Sequence, residues 1–217
     1  MTTSEDQKRA AAQAAAQLVG DGQRVGLGTG STVAHLLPAL AARGLQLRCA
    51  ATSVATEEAA RALGLSVAPL DEIGELDIAI DGADQVDERG WLIKGGGAAH
   101  TREKIVAAAA RRFVVIADAS KAVSALTPPV PLEILCFGAE LTLIAAGPAR
   151  WRDVPLSPDG NRIADYLGEI GEPAALAARL AATPGVVEHG LFASQMVSDV
   201  LIATADGRVE HRVLRGD

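Results

Sequence analysis

The sequence predicts an α/β protein, a mostly parallel sheet covered by helices, joined to a second, smaller α+β domain. Three observations predict it. From residue 25 to residue 117 apolar segments alternate with helix-forming ones, as parallel strands alternate with crossover helices. Residues 76–80 and 113–117 are nearly continuous apolar runs, the pattern of strands covered on both faces. The cluster Thr127-Pro128-Pro129-Val130-Pro131 then changes the texture and marks a linker. The large domain is therefore expected over residues 1–127 plus 199–217, and the small one over residues 128–198.

Each element has its own signal. Ser4 with Gln7 reads as a capping box opening an alanine-rich helix that runs to Val19 and stops at Gly20-Asp21-Gly22. Strands follow at residues 25–27, 45–50 and 66–68, separated by helices at 32–42 and 56–63. Next come the strand at 76–80, a helix after Gly97 and the strand at 113–117. The small domain reads as strand, helix, a Pro158-Asp159-Gly160-Asn161 turn, a second strand, and a helix over 173–182. Residues 200–203 and 209–213, around Asp206-Gly207, read as a hairpin returning to the large sheet.

Composition narrows the function. The chain has 217 residues, 49% of them hydrophobic, enough for a packed core. No apolar run approaches the roughly 20 residues of a membrane span, and the first residues, with Glu5, Asp6, Lys8 and Arg9, lack the apolar centre of a signal peptide. A cytoplasmic protein is expected. With a net charge of −7 and no basic cluster beyond Arg111-Arg112, nucleic acid is not an expected partner. Cys49 and Cys136 lie far apart, encode neither a disulfide framework nor a zinc site, and are expected as buried small hydrophobes. His35, His100, His189 and His211 form no ligand spacing with the acids discussed below, so no metal is expected.

Four segments carry chemistry. Gly26-Leu27-Gly28-Thr29-Gly30-Ser31-Thr32 lies between a strand and a helix, where amides and hydroxyls converge on a phosphate. It lacks the lysine of a Walker A loop. Nor is it a Rossmann fingerprint, because the second strand ends Cys49-Ala50-Ala51-Thr52 and the first acid beyond it is Glu57. The competing reading is a tight turn capped by Ser31 or Thr32. Asp81-Gly82-Ala83-Asp84 follows a strand of the sheet, where its carboxylates can grip sugar hydroxyls or merely bond nearby backbone amides. Lys94-Gly95-Gly96-Gly97 opens a helix, bringing amides close to an anion, with Glu103 about one turn in and able to move a proton. The chain has four lysines, at 8, 94, 104 and 121, and Lys94 and Lys121 both fall at such loops. Their compact charge suits an oxygen that becomes negative. Lys104 reads as solvated surface. A phosphate cradle, paired aspartates, a lysine and a glutamate are the parts for carbon-acid chemistry on a phosphorylated sugar.

In these motifs the sequence resembles the ribose-5-phosphate isomerases of the A type. The resemblance adds Ile116-Ala117-Asp118-Ala119-Ser120-Lys121, Gly160-Asn161-Arg162-Ile163-Ala164-Asp165 and Gly185-Val186-Val187-Glu188-His189-Gly190-Leu191-Phe192, and spans residues 26–192 in family order. It implies a fold like those of phosphosugar isomerases and coenzyme A transferases, no metal or other cofactor, and a homodimer or homotetramer. It further implies substrate contacts at Thr29, Gly30, Ser31, Thr32, Asp81, Gly82, Ala83, Asp84, Lys94, Gly95, Gly96, Gly97 and Lys121. Glu103 becomes the proton acceptor, with Asp81, Asp84 and Lys94 beside it in the chemistry. Gln85 departs from a frequent Glu, Thr127 from Gly, and Cys136-Phe137-Gly138 from Pro-Phe-Ala. A sensing domain that binds a sugar phosphate without turnover is the alternative. A coenzyme A transferase, with glutamate as nucleophile, would want a larger site.

Overall fold

The computed structural model describes residues 2–215. The chain divides into two compact units. One holds the residues up to Ala83, Arg102–Ala122 and those from Ser194 on; the other holds Asp84–Thr101 and Val123–Ala193.

Among the described residues of the first unit, seven strands form one sheet. Their spatial order is Val209–Val213, Asp199–Ala203, Ala110–Asp118, Leu76–Gly82, Arg24–Leu27, Arg48–Ala51 and Ser66–Val67. Neighbours run parallel except for the outermost hairpin, Asp199–Ala203 with Val209–Val213, which joins the large sheet as expected. Because Arg24–Leu27 is followed by strands on one side and then by Leu76–Gly82 on the other, the order reverses between these two strands. The loops after residues 27, 51, 82 and 118 share the carboxyl edge of the sheet, where an open α/β fold receives ligands.

The core explains the sheet's burial. Val25, Leu27, Ile78, Ile80, Val114 and Ile116 pack with Val33, Leu36 and Leu40 of helix Ser31–Ala41 and with the small face Ala11, Ala12, Ala15 and Ala16 of helix Ser4–Ala16. At the strand starts, Arg24 makes a two-pronged ion pair with Asp77 (Nη2 to Oδ1 2.8 Å, Nε to Oδ2 3.2 Å). The Arg24 guanidinium holds the Asp77 carboxyl down at about 2.

Several boundaries differ from expectation. The first helix is capped by Thr3, whose hydroxyl accepts from Asp6 N–H while the Asp6 carboxylate accepts from Thr3 N–H, so the box lies one residue earlier than Ser4/Gln7. Gln7 turns inward instead and accepts from Ala119 N–H at 3.1 Å. The helix ends at Ala16, the second strand is Arg48–Ala51, and Leu76–Gly82 runs on through Asp81.

The second unit has an antiparallel sheet in the order Val186–His189, Val130–Ile134, Arg162–Tyr166, Ala149–Trp151, with helices Ala139–Ala146 and Pro173–Ala181. A smaller antiparallel sheet, Leu191–Phe192, Leu92–Ile93, Gln85–Val86, shares its core through Trp91, Ile93 and Leu191, packed with Leu132, Ala164 and Leu176. Trp91 and His189 are buried, the latter accepting from Leu191 N–H, and Trp151 stacks on Arg162 and donates to Glu140. Cys49 is buried, its thiol pushed up to about 11 by burial. Cys136 is exposed, contrary to expectation, because it follows the end of strand Val130–Ile134 and bonds Gly160 O.

Candidate active site

In the first unit the site is built around the reversal of strand order. Asp81, 3% exposed, accepts from Thr29 N–H (3.1 Å) and Gly82 N–H (2.7 Å) on Oδ1. Gly28 makes room for this, since a Cβ there would lie 2.0 Å from the Asp81 carboxyl carbon. The first helix turn beyond is opened by Gly30 at φ 117°, with no side-chain cap. Neither Ser31 nor Thr32 caps it, so the amides of that turn keep the arrangement suited to an anion. Below the loop, the Thr29 hydroxyl meets those of Thr52 (2.7 Å), Ser53 (2.9 Å) and Thr56 (3.3 Å), and Thr56 Oγ1 donates to Gly28 O. Thr52, Ser53 and Thr56 thus support the Thr29 loop, a role that sequence reasoning missed. Their signal was available: three hydroxyls just beyond the neighbouring strand's carboxyl end.

Glu103 lies in the first turn of helix His100–Ala108 and is 4% exposed. Its position follows from packing. Val106 presses on strand Arg24–Leu27 at Gly26, where a Cβ would come within 2.5 Å of Val106 Cγ1. Residues three apart share a helix face, so Glu103 stands on that face, one turn toward the helix start. That helix leads into Ala110–Asp118 through Ala109 alone and so runs against the strands, which puts its start at their carboxyl edge. Lys121 closes the short turn Ala119–Lys121 at the same edge, capped by Asp118, whose Oδ1 accepts from Ser120 N–H at 2.9 Å. Lys104 is half-buried rather than fully solvated.

In the second unit Asp84 and the glycine loop meet. Asp84 Oδ2 accepts from Gly96 N–H at 2.7 Å, and a Cβ on Gly96 would crowd Asp84 Oδ1 at 2.8 Å. Gly95, at φ 106°, is pressed by His100 and Pro131 and admits no side chain. Lys94 is 3% exposed; its N–H donates to Gly190 O at 2.9 Å and its Nζ lies 5.6 Å from the Phe192 ring centre. Gly190 is required there because a Cβ would reach 2.2 Å from Lys94 O, which gives the Gly-Leu-Phe segment its part in the site. The start of the helix is held by the buried Glu133, which accepts from Thr101, Ser157 (2.6 Å) and Asn161 (2.9 Å). Arg152 donates to Gly95 O at 2.8 Å and pairs with Asp165. Neither was evident from sequence.

Gln85 and Thr127, two departures from the family pattern, bond each other. Gln85 Nε2 donates to Thr127 O (2.8 Å) and Gln85 Oε1 accepts from Thr127 N–H (2.9 Å). A carboxylate could make only the second of these bonds. Among the described residues no group of three or more His, Cys, Asp or Glu could hold a metal ion, and no helix is long and apolar enough to cross a membrane.

The first unit carries a helix start without a side-chain cap and the buried carboxylates Asp81 and Glu103; the second carries a glycine loop and the buried Lys94. A sequence model of ribose 5-phosphate isomerase A (phosphoriboisomerase A) matches residues 48–207. Ribose-5-phosphate isomerase A of Methanosarcina acetivorans is 45% identical, over 96% of this chain and 95% of its own. The structure of ribose 5 phosphate isomerase A from Neisseria gonorrhoeae superposes with a TM-score of 0.93 at 34% identity, covering 100% of both chains. A D-ribose-5-phosphate isomerase solved with phospho-erythronic acid gives 0.91 at 33% identity, covering 98% of this chain and 100% of its own.

Proposed function

The chain belongs to the ribose 5-phosphate isomerase A family of aldose–ketose isomerases, and from that premise we propose that it interconverts D-ribose 5-phosphate and D-ribulose 5-phosphate through an enediolate, with Glu103 as the base. After ring opening, the Glu103 carboxylate takes the C2 proton, and the electron pair forms the C1–C2 double bond as O1 becomes an oxyanion. The O2 proton is transferred to O1, and Glu103 returns its proton to C1, leaving the ketone at C2. Mass and charge balance with no cofactor. A positioned base contributes about 10² to 10⁴ in rate. Lys94, Asp81 and Asp84 stabilise the oxyanion and carry the proton between O1 and O2. Thr29, Gly30, Ser31 and Thr32 hold the phosphate at the helix start; Gly82, Ala83, Gly95, Gly96, Gly97 and Lys121 complete the substrate contacts. Phosphate binding, away from the reacting carbons, keeps the open chain in register.

The observation that carries this reading is the bonding of the two aspartates. In the first unit Asp81 binds the Thr29 loop, and in the second Asp84 binds the Gly96 loop, so each glycine loop is held by one of the two aspartates. That phospho-erythronic acid, a phosphorylated sugar acid, is bound by a relative supports the substrate class. The reading extends to the non-oxidative pentose phosphate pathway, to a cytoplasmic location and to a homodimer or homotetramer. The test is direct: incubate the protein with ribose 5-phosphate and follow ketose formation, in the wild type and in Glu103→Gln. Ketose from the wild type, with a loss of about 10² or more in the variant, is expected. Binding without turnover in the wild type would favour the sensing domain instead.

A further inference from the structure

We propose that Arg152 is a positioning residue for the glycine loop, holding the carbonyls of Gly95 and Gly96 so that Gly97 N–H is turned toward substrate. This rests on the reading of residues 94–97 as substrate-binding. Arg152 lies beside strand Ala149–Trp151, with its own N–H bonded to Ile163 O at 3.0 Å, and its Nη1 donates to Gly95 O (2.8 Å) and Gly96 O (3.3 Å). In a trans peptide the C=O and the following N–H point in opposite directions. The Gly95–Gly96 peptide is therefore gripped at both ends, its oxygen by Arg152 and its N–H by Asp84 Oδ2 at 2.7 Å. In the next peptide the Gly96 oxygen faces Arg152, so Gly97 N–H points away from the guanidinium. Gly97 borders open space: a Cβ there would meet nothing within 4 Å.

Three glycines in succession have no side chains to fix their peptide planes. Within the loop Ala98 N–H bonds Gly95 O at 3.0 Å, and Arg152 adds a hold from outside on that oxygen and on the Gly96 oxygen. Arg152 is suited because its guanidinium is itself fixed: Nε and Nη2 face the Asp165 carboxylate, with Nε at 3.2 Å from Oδ2, which leaves Nη1 for the two carbonyls. Both side chains are largely buried, 17% and 11% exposed. A lysine can supply the charge but not a rigid fork that serves a carboxylate and two carbonyls at once.

The experiment uses Arg152→Lys, Arg152→Gln and Asp165→Asn in the full chain. Phospho-erythronic acid is titrated by calorimetry, kcat and KM for ribose 5-phosphate are measured, and each variant is melted. We expect Arg152→Gln to weaken phospho-erythronic acid by about tenfold or more and to raise KM alike, with kcat less affected. Arg152→Lys should recover part of that loss, and Asp165→Asn, which keeps the guanidinium but loosens it, should fall between wild type and Arg152→Gln. A lowered melting temperature with wild-type affinity and KM would overturn the proposal. Should Arg152→Gln not fold, the other two variants decide on the same readouts. A wild type that binds phospho-erythronic acid without isomerising ribose 5-phosphate would remove the functional reading and leave this one standing; a wild type that binds none would remove both.

Discussion

Asp81 and Asp84 stand three residues apart in one turn and are held in contrasting ways. Asp81 is the next-to-last residue of a central strand, is 3% exposed, and accepts two backbone N–H groups on a single oxygen against a glycine with no room for a methyl. Its geometry is dictated by paired strands on both sides. Asp84 is half-buried and grips a loop that has no strand of its own. Its partner amide is steadied by side chains, Arg152 and behind it Asp165. The first arrangement is set by the sheet; the second depends on a few polar groups, so single substitutions should affect the two differently.

Replacing Gly28 with Ala attacks the sheet-built arrangement most directly. Its methyl and the Asp81 carboxyl cannot coexist, so a loss of about 1–3 kcal/mol in stability is expected, with isomerase activity falling too. Denaturant unfolding and turnover measure both. Asp81→Ala should cost a similar amount, about 1–3 kcal/mol for the amides left without an acceptor, whereas Asp81→Asn keeps an acceptor oxygen and should retain most of the stability while losing turnover. If Asp81→Asn were fully active, Asp81 would have only the structural task of receiving Thr29 and Gly82. Asp84→Ala removes one amide's partner at a half-buried position, so its melting temperature should fall less than that of Asp81→Ala while KM rises. Equal losses of stability would erase the contrast.

The smaller effects concern the supports. Gln85→Glu exchanges a two-way bond to Thr127 for an acceptor alone and leaves Thr127 O without its donor; a change of about 0.5–1.5 kcal/mol is expected, with little change in kcat. Asp77 gives a pH test. Its folded carboxyl lies near 2, below the ordinary 3.8, so the stability it confers is present above 3.8 and is lost as pH falls through about 2. Because both side chains are partly exposed, solvent screening keeps that contribution modest. Asp77→Asn should lower stability by that modest amount at every pH above 3.8, neutrality included, and remove the pH dependence between 3.8 and about 2, so that wild type and variant converge in strong acid.

The sheet was legible because apolar residues repeat with the spacing its burial demands, as in residues 113–117. The returning hairpin was legible because Asp206-Gly207 sits between two strand-like runs. The glycine loops announced themselves, but the reason for Gly28 did not, since what fills the space beside it is Asp81, 53 positions along the chain. Arg152 was invisible for a further reason: it bonds carbonyl oxygens, which every residue carries and no sequence pattern marks. Thr52, Ser53 and Thr56 could have been found by applying to the second strand the edge argument used for the first. The capping box was misplaced by one residue because Ser4 and Gln7 satisfy the same rule as Thr3 and Asp6, and only the inward turn of Gln7 separates them.

The central claim is that the Glu103 carboxylate carries hydrogen between C2 and C1. Ribose 5-phosphate deuterated at C2 tests it most directly, with label followed by NMR in wild type and in Glu103→Gln, each checked for intact folding by thermal melting. The wild type should release the C2 deuterium to water or deliver it to C1 as ketose forms, and the variant should leave it at C2. Loss of that label from Glu103→Gln at the wild-type rate would contradict the account.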